Sequence, residues 1–377
     1  MKLALSRILA ATISLFLLMS FTACQRADTN KEATTTESVA TTADTMTEED
    51  YKACSIANES TFYPDAPPIL TFKNASGETV GEVLNDEFQY YQSLYKENFD
   101  GGDASFWEDN PDMVTRVESL IWAELCRNYA VRYECEKYGI GFSDEELLEL
   151  DRSLAELVYT LGGKDAFAQT LTLYHMTPYL YYTQTQTEKL YEKLNTYYLE
   201  SGMILTSNED VRALLDTDEY VRAKHILIMN DAGDDHEANL ATAKDLLARL
   251  QNGEDFDQLM KEHSEDVNTE GALNGPDGYY FFRGEMDESF ENASFALKEG
   301  ELSDIVTSAY GYHIILRLEK EAEYMDANLS SIKSAYAQLR FYQLLDEVVT
   351  DWETLPCESY ADYADPVFTG TSGKAAS

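Results

Sequence analysis

Two histidines stand beside short apolar runs. His225 precedes Ile226-Leu227-Ile228, and His313 precedes Ile314-Ile315-Leu316. Both runs are brief and β-branched, the pattern of buried strands, so one small sheet is expected to hold the two imidazoles close together. An imidazole donates and accepts hydrogen bonds and titrates near neutrality, which makes the pair a candidate for catalysis. A histidine on an apolar strand is also an ordinary core residue, and the residues alone leave both readings open. The five histidines of the chain show no metal-site spacing. There is no phosphate-cradling glycine loop and no internal repeat, so neither a metal nor a cofactor is expected.

The elements that must position the pair lie between the two strands. Asp235 is placed to cap a helix whose Leu240, Ala243, Leu246, Leu247 and Leu250 share one face, ending near Asn252-Gly253. A short helix with Phe256, Leu259 and Met260 inward follows. From Asn268 to Gly278 the glycines and Pro276 permit only a loop. Tyr279-Tyr280-Phe281 reads as a strand, Met286 to Leu297 as a helix, and Ile305-Val306 as a strand leading to the Gly311 turn. The predicted order is strand, helices, strand, helix, strand, strand.

From Glu219 to about Lys320 this stretch resembles the parvulin-type peptidyl-prolyl isomerases. The resemblance is carried by Arg222-Ala223-x-His225-Ile226-Leu227, Phe256-x-x-Leu259, His263-Ser264-Glu265-Asp266, Gly284-x-Met286-x-x-x-Phe290, Ala293-x-Phe295-x-Leu297-x-x-Gly300-Glu301 and Gly311-Tyr312-His313-Ile314-Ile315. It implies a small, mostly antiparallel four-stranded sheet surrounded by helices. It also implies catalytic roles for His225, Asp266 and His313, and a substrate cradle of Met286 and Phe290 with Tyr280 and Tyr310 beside it. Rotation about an X–Pro bond faces a barrier of about 18–20 kcal/mol and takes tens to hundreds of seconds unaided. No bond is made or broken, so the task requires neither nucleophile nor metal. A dry pocket that grips the proline ring, with polar groups favouring the twisted amide, would suffice.

The sequence departs from the family in two places. Asn274-Gly275-Pro276-Asp277-Gly278 stands where the family reads Gly-Gly-Asp-Leu-Gly, which puts a charged Asp277 near the expected pocket rim. Asn230-Asp231-Ala232-Gly233-Asp234-Asp235 stands where phospho-specific members have a basic loop, so phosphate recognition is not expected.

Lys2 and Arg7 precede an apolar run, Ile8 to Phe21, with the proportions of a signal peptide rather than a membrane span. It ends Thr22-Ala23-Cys24, which resembles the lipobox of bacterial lipoproteins, with Phe21 in place of the usual leucine. Cys24 is thus the expected lipidation site, and the chain is expected outside the cytoplasm on the bacterial cell membrane. The polar sequence that follows has little to bury and is expected to be a tether.

A short extended run, Ile69 to Phe72, and a turn at Asn74 to Gly77 come next, then a helical pattern from Asn85 to about Leu215. Asn110-Pro111 and Ser143 with Glu146 mark helix starts. Tyrosines, among them Tyr174, Tyr179, Tyr181, Tyr182, Tyr191, Tyr197 and Tyr198, recur along these helices. Packing is their default reading, and a surface for unfolded chains is the alternative. After the isomerase stretch, Met325, Leu329, Ile332, Tyr336, Leu339, Tyr342, Leu345, Val348 and Trp352 form one helical stripe. This layout resembles the PrsA-type and SurA-type foldases, whose chain returns after the isomerase insert and packs a last helix on the N-terminal domain.

The expected organisation is therefore α+β, a helical chaperone-like domain with an inserted parvulin domain. Its parts are a signal peptide (1–23), a lipidated cysteine and tether (24–60), a helical domain (61–217), the isomerase domain (218–320), a C-terminal helix (321–355) and a loose tail (356–377). A formal net charge of -41 excludes a nucleic-acid partner. Expected partners are partly folded secreted proteins with X–Pro bonds. The rival reading is a holdase whose parvulin domain binds extended segments without turning them over.

Overall fold

The computed structural model describes residues 46–57, 67–101, 105–109, 111–230 and 235–358. The expected signal peptide, Cys24 and most of the expected tether and tail lie outside them. No helix among the described residues is long and apolar enough to cross a membrane. The fold is α+β. The described residues divide into two compact units, one covering Asn208–Ile332, the other the residues up to Ser207 together with those from Lys333 onward.

The second unit is mainly helical. Its first element, α1 (Glu48–Cys54), corrects the expectation of a featureless tether through residue 60. Thr47 and Asp50 close a capping box on α1. Tyr51 and Ser55 both donate to the carboxylate of Asp151, and Cys54 and Ile56 are buried. Strands β1 (Leu70–Lys73) and β2 (Thr79–Val83) form an antiparallel hairpin around Asn74-Gly77. The helices α2 (Asn85–Asp100), α3 (Ser105–Asp109), α4 (Pro111–Lys137), α5 (Asp144–Thr160), α6 (Lys164–Thr172) and α7 (Pro178–Glu200) follow. Ser143 and Glu146 make the expected capping box on α5. The tyrosines mainly pack. Tyr198 is fully buried and donates to Glu134 at 2.8 Å, while Tyr191 and Tyr197 lie against the same core.

Helix α8 (Asn208–Leu215) opens the first unit, followed by β3 (Tyr220–Met229), α9 (His236–Gln251), α10 (Phe256–His263), β4 (Tyr279–Phe282), α11 (Glu288–Ala296), β5 (Val306–Thr307) and β6 (Gly311–Leu318). The strands form one antiparallel sheet in the order β4-β3-β6-β5. Side chains alternate across it. On one face Ile226, Ile228 and Ile314 pack against Ala243, Leu246, Leu259 and Met260 from α9 and α10. On the other, Val221, Ala223, Phe281 and Ile315 pack against Phe290 of α11. Lys320 closes the unit where the chain enters and leaves it, donating from Nζ to the carbonyls of Leu215 (2.8 Å) and Tyr220 (2.9 Å).

The last helix, α12 (Ala322–Val349), ends before the expected residue 355. Glu353–Pro356 is instead a strand, β7, pairing antiparallel with β1 at the edge of a three-stranded sheet β2-β1-β7. Proline is tolerated there because an edge strand can lack a ladder donor. In the second half of α12 the buried residues are Phe341, Leu344 and Leu345, packed with Ala130, Leu194 and Tyr198. Of the expected stripe, Leu345 lies in this core and Tyr336, Val348 and Trp352 pack against it, while Leu339 and Tyr342 are half-buried.

Candidate functional site

The register of β3 on β6 decides where the imidazoles meet. His225 lies opposite Ile315 and His313 opposite Leu227, so the two histidines are diagonal neighbours on one face. Their rings stack at 5.1 Å with planes 14° apart, and Nδ1 of one lies 2.9 Å from Nδ1 of the other. Both are buried, His225 at 8% and His313 at 4% exposure. Asp266, carried on the segment after α10, places Oδ2 at 2.8 Å from His225 Nε2. At the other end Ser308 Oγ lies 2.7 Å from His313 Nε2.

The partners assign the tautomers of a neutral pair. A carboxylate only accepts, so His225 Nε2 carries the proton and its Nδ1 accepts from His313 Nδ1–H. His313 Nε2 then accepts from the Ser308 hydroxyl, whose oxygen in turn accepts from the Tyr310 backbone N–H at 3.0 Å. Every donor in the row points toward Asp266. Burial alone would raise the Asp266 carboxyl, but hydrogen bonds from His225, Asn274 and Tyr279 outweigh it and hold the group at about 2. Asn274 Nδ2 donates to Oδ1 at 2.9 Å, and the Tyr279 hydroxyl donates to Oδ2 at 2.7 Å. For His313, burial and then the charge of His225 push the ring down to about 4.

Apolar side chains close over the pair. The Phe290 ring stands edge-on to both imidazoles, 5.1 Å and 71° from His225, 5.5 Å and 62° from His313. Met286, half-buried, packs against the same cluster as Phe290 and Phe281. The loop that carries Met286 is tied down at two N–H groups, Phe282 N–H donating to Glu285 and Gly284 N–H to Glu291, each at 2.6 Å.

The structure thus brings together His225, Asp266, His313, Met286 and Phe290 from the predicted site. It separates Tyr280 from them. Tyr280 alternates with Phe281 on β4 and faces the other side, where it stacks on Tyr324 at 4.1 Å and on Tyr220 at 5.8 Å beneath Arg222. Its neighbour Tyr279 is the aromatic on the histidine side, 5.9 Å from His225. Tyr310 is 52% exposed, and what it supplies to the row is its backbone N–H rather than its ring. The Asp277 carbonyl is held by the Arg222 guanidinium at 2.6 and 2.9 Å, and its side chain is exposed. Asn274, Tyr279 and Ser308 were not anticipated. Strand alternation offered a signal for Tyr279 once Phe281 was placed in the core.

The buried pair predicts acid sensitivity. An unfolded His313 binds a proton near 6.5, the folded one only near 4, so acidification through that window favours the unfolded chain. The stability conferred by the neutral ring is whole above the upper value, and the loss reaches about 3 kcal/mol at the lower one. Asp266 adds a further loss as the pH falls from 3.8 to about 2. Thermal unfolding at a series of pH values should show this slope, and His313→Leu should flatten it between 6.5 and 4. An unchanged slope in the variant would remove His313 as its source.

Residues 205–321 match the family described as the PPIC-type PPIASE domain. The chain is 44% identical over 101 residues to the foldase protein PrsA of Geobacillus kaustophilus, covering 27% of this chain and 32% of the relative. It is 38% identical over 242 residues to the foldase protein PrsA of Caldanaerobacter subterraneus subsp. tengcongensis, covering 63% of this chain and 66% of the relative. The match therefore spans about a third of the former's length and 66% of the latter's. Among solved structures it is similar to the peptidylprolyl isomerase PrsA of Bacillus anthracis, with 22% identity, a TM-score of 0.33, and coverage of 61% of this chain and 96% of the other.

Proposed function

We propose that this chain, of the PrsA type with one parvulin-type isomerase domain within residues 205–321, accelerates cis/trans exchange at X–Pro bonds of secreted proteins outside the cytoplasm. The observation that carries this reading is the continuous row Asp266–His225–His313–Ser308, whose two imidazoles both meet the apolar ring of Phe290 edge-on. A proline ring seated on Phe290 and Met286 would place its amide beside groups that exchange hydrogen bonds. That is all the reaction asks for. As the amide twists, resonance is lost and the partial charges on its oxygen and nitrogen change, so a fixed row of dipoles binds the twisted form better than the planar one. A thousandfold acceleration requires only about 4 kcal/mol of such preference. Anchoring through a lipid on Cys24 and a helical unit that holds partly folded clients complete the proposal.

The test is the exchange rate of a panel of X–Pro peptides with the chain from Gln25 onward. His225→Ala and Met286→Ala, each shown to retain its fold, are expected to lose most of the acceleration. His225→Ala should act mainly on kcat and Met286→Ala mainly on KM. A parent chain inactive on every peptide would sink the isomerase reading and leave a holdase, which would still suppress aggregation of unfolded proteins.

A further inference from the structure

Tyr279 occupies a place in this site that the paired histidines alone do not require. Its hydroxyl reaches the same oxygen of Asp266 as His225 does, at 2.7 Å against 2.8 Å. Its ring stands at 67° to the His225 ring. The preceding loop is shaped around it. Gly275 has φ +52, and a Cβ there would meet the Tyr279 ring at 2.6 Å. Asn274, next to Gly275, binds Asp266 twice, with its backbone N–H to the carbonyl and its side chain to Oδ1, each at 2.9 Å. Tyrosine and loop together hold both carboxylate oxygens, Tyr279 at the Oδ2 it shares with His225 and Asn274 at Oδ1.

We propose that Tyr279 is a positioning residue of the isomerase site: by sharing Oδ2 of Asp266 with His225 Nε2–H, its hydroxyl fixes the carboxylate and, through it, the direction of hydrogen-bond donation across the histidine pair. Its consequence for rate rests on the isomerase reading above, whereas its consequence for the histidines does not. The physical basis is a difference in donor strength seen by one oxygen. With two donors on Oδ2, the anionic form of Asp266 is favoured, and an anion there admits only the Nε2–H tautomer of His225. Without the phenol, Oδ2 has one donor fewer, the carboxylate is freer to swing off His225 Nε2–H, and the bias it sets on the His225 tautomer and on the row out to Ser308 weakens. The charged and titratable groups around Asp266 are His225 on β3, Tyr279 on β4 and His313 on β6 behind His225, with Asp287 before α11 acting on His313. Glu265, its chain neighbour, is engaged by Met229 N–H at 2.6 Å.

The experiment is a pH titration of the full chain by NMR, reading the Asp266 carboxyl carbon and the ring nitrogens of His225 and His313, beside the peptide exchange rate. Tyr279→Phe removes one charge-assisted hydrogen bond and should raise the Asp266 midpoint by about one pH unit. It should also lower the Nε2–H population of His225 and reduce kcat several-fold at unchanged KM. Placing 3,5-difluorotyrosine at position 279 strengthens the donor and should move the midpoint the opposite way. Gly275→Ala, which displaces the ring without deleting the hydroxyl, should resemble Tyr279→Phe. If the midpoint and the tautomers are the same in all four proteins, Tyr279 is packing only and the proposal is overturned. A parent chain with no isomerase rate but with these titration shifts would overturn the isomerase reading and leave the assignment of Tyr279 standing.

Discussion

Replacing Asp266 with alanine is expected to lower the isomerisation rate about a hundredfold, which corresponds to about 2.7 kcal/mol of lost transition-state preference. It should also destabilise the isomerase domain by about 3 kcal/mol. Three donors converge on that carboxylate, from His225, Tyr279 and Asn274. Removing the acceptor leaves a buried imidazole N–H facing a void, and buried donors without partners are costly because the interior offers no replacement. The rate should fall further than the stability loss alone explains, since the histidine row loses the end that gives it direction. Asp266→Asn separates the two effects. Its amide oxygen can take over Oδ2 and still accept from His225 and Tyr279, while its NH2 replaces Oδ1 and requires Asn274 to turn its amide over and accept, so stability should largely return. Its lack of charge should keep the rate well below the parent. Exchange kinetics and denaturant unfolding on the same preparations decide the matter. An alanine variant with the parental rate would show that the row does not take part in the reaction.

Much of this site was legible because its residues sit in regular elements whose pattern repeats. His225 and His313 each head an apolar run, and strands buried on both faces leave such runs in any sequence. Phe290 and Met286 were found through the resemblance, and the structure sets both against the histidine face. The errors came from local geometry that composition does not encode. Tyr279 and Tyr280 are the same residue type in adjacent positions, and which one faces the histidines depends on the strand register, here Tyr280 opposite Arg222 and Tyr279 opposite Ala223. A shift of one residue exchanges the two faces. Ser308 was missed because it lies in a turn whose path is set by the pairing of Val306 with His313, a contact fixed only once β6 is in place.

The fold divides in the same way. The isomerase elements followed from helical periodicity, capping residues and the glycine-rich loop, all of them local. The missed pieces depend on partners far along the chain. Strand β7 is four residues long and pairs with β1, whose residues lie at the other end of the same unit. Helix α1 is seven residues long and is held chiefly by Asp151, about a hundred residues away. Short elements of this kind are marginal alone and exist because tertiary contacts complete them.

The same dependence on distant partners predicts the second large effect, at Phe341. This residue is 1% exposed and lies 4.5 Å from the Tyr191 ring and 5.6 Å from the Tyr198 ring, centroid to centroid. It joins the end of the chain to α7, and with Leu344 and Leu345 it fills the core around Ala130, Val131 and Leu194. Phe341→Ala should cost about 3–5 kcal/mol, because a ring-sized cavity among large aromatic neighbours collapses only in part. For a unit of this size that is a fall of about 10 °C in the melting temperature. The loss should fall on the helical unit, since none of the histidine site residues contributes to this core. Phe341→Leu, which keeps most of the volume, should cost about 1 kcal/mol. Hydrogen exchange read separately on α7 and on β3 would locate the change. Loss of protection confined to α7 and its neighbours would establish that the C-terminal helix stabilises the helical unit by burying its aromatic face, whereas equal loss on β3 would mean that the two units unfold as one.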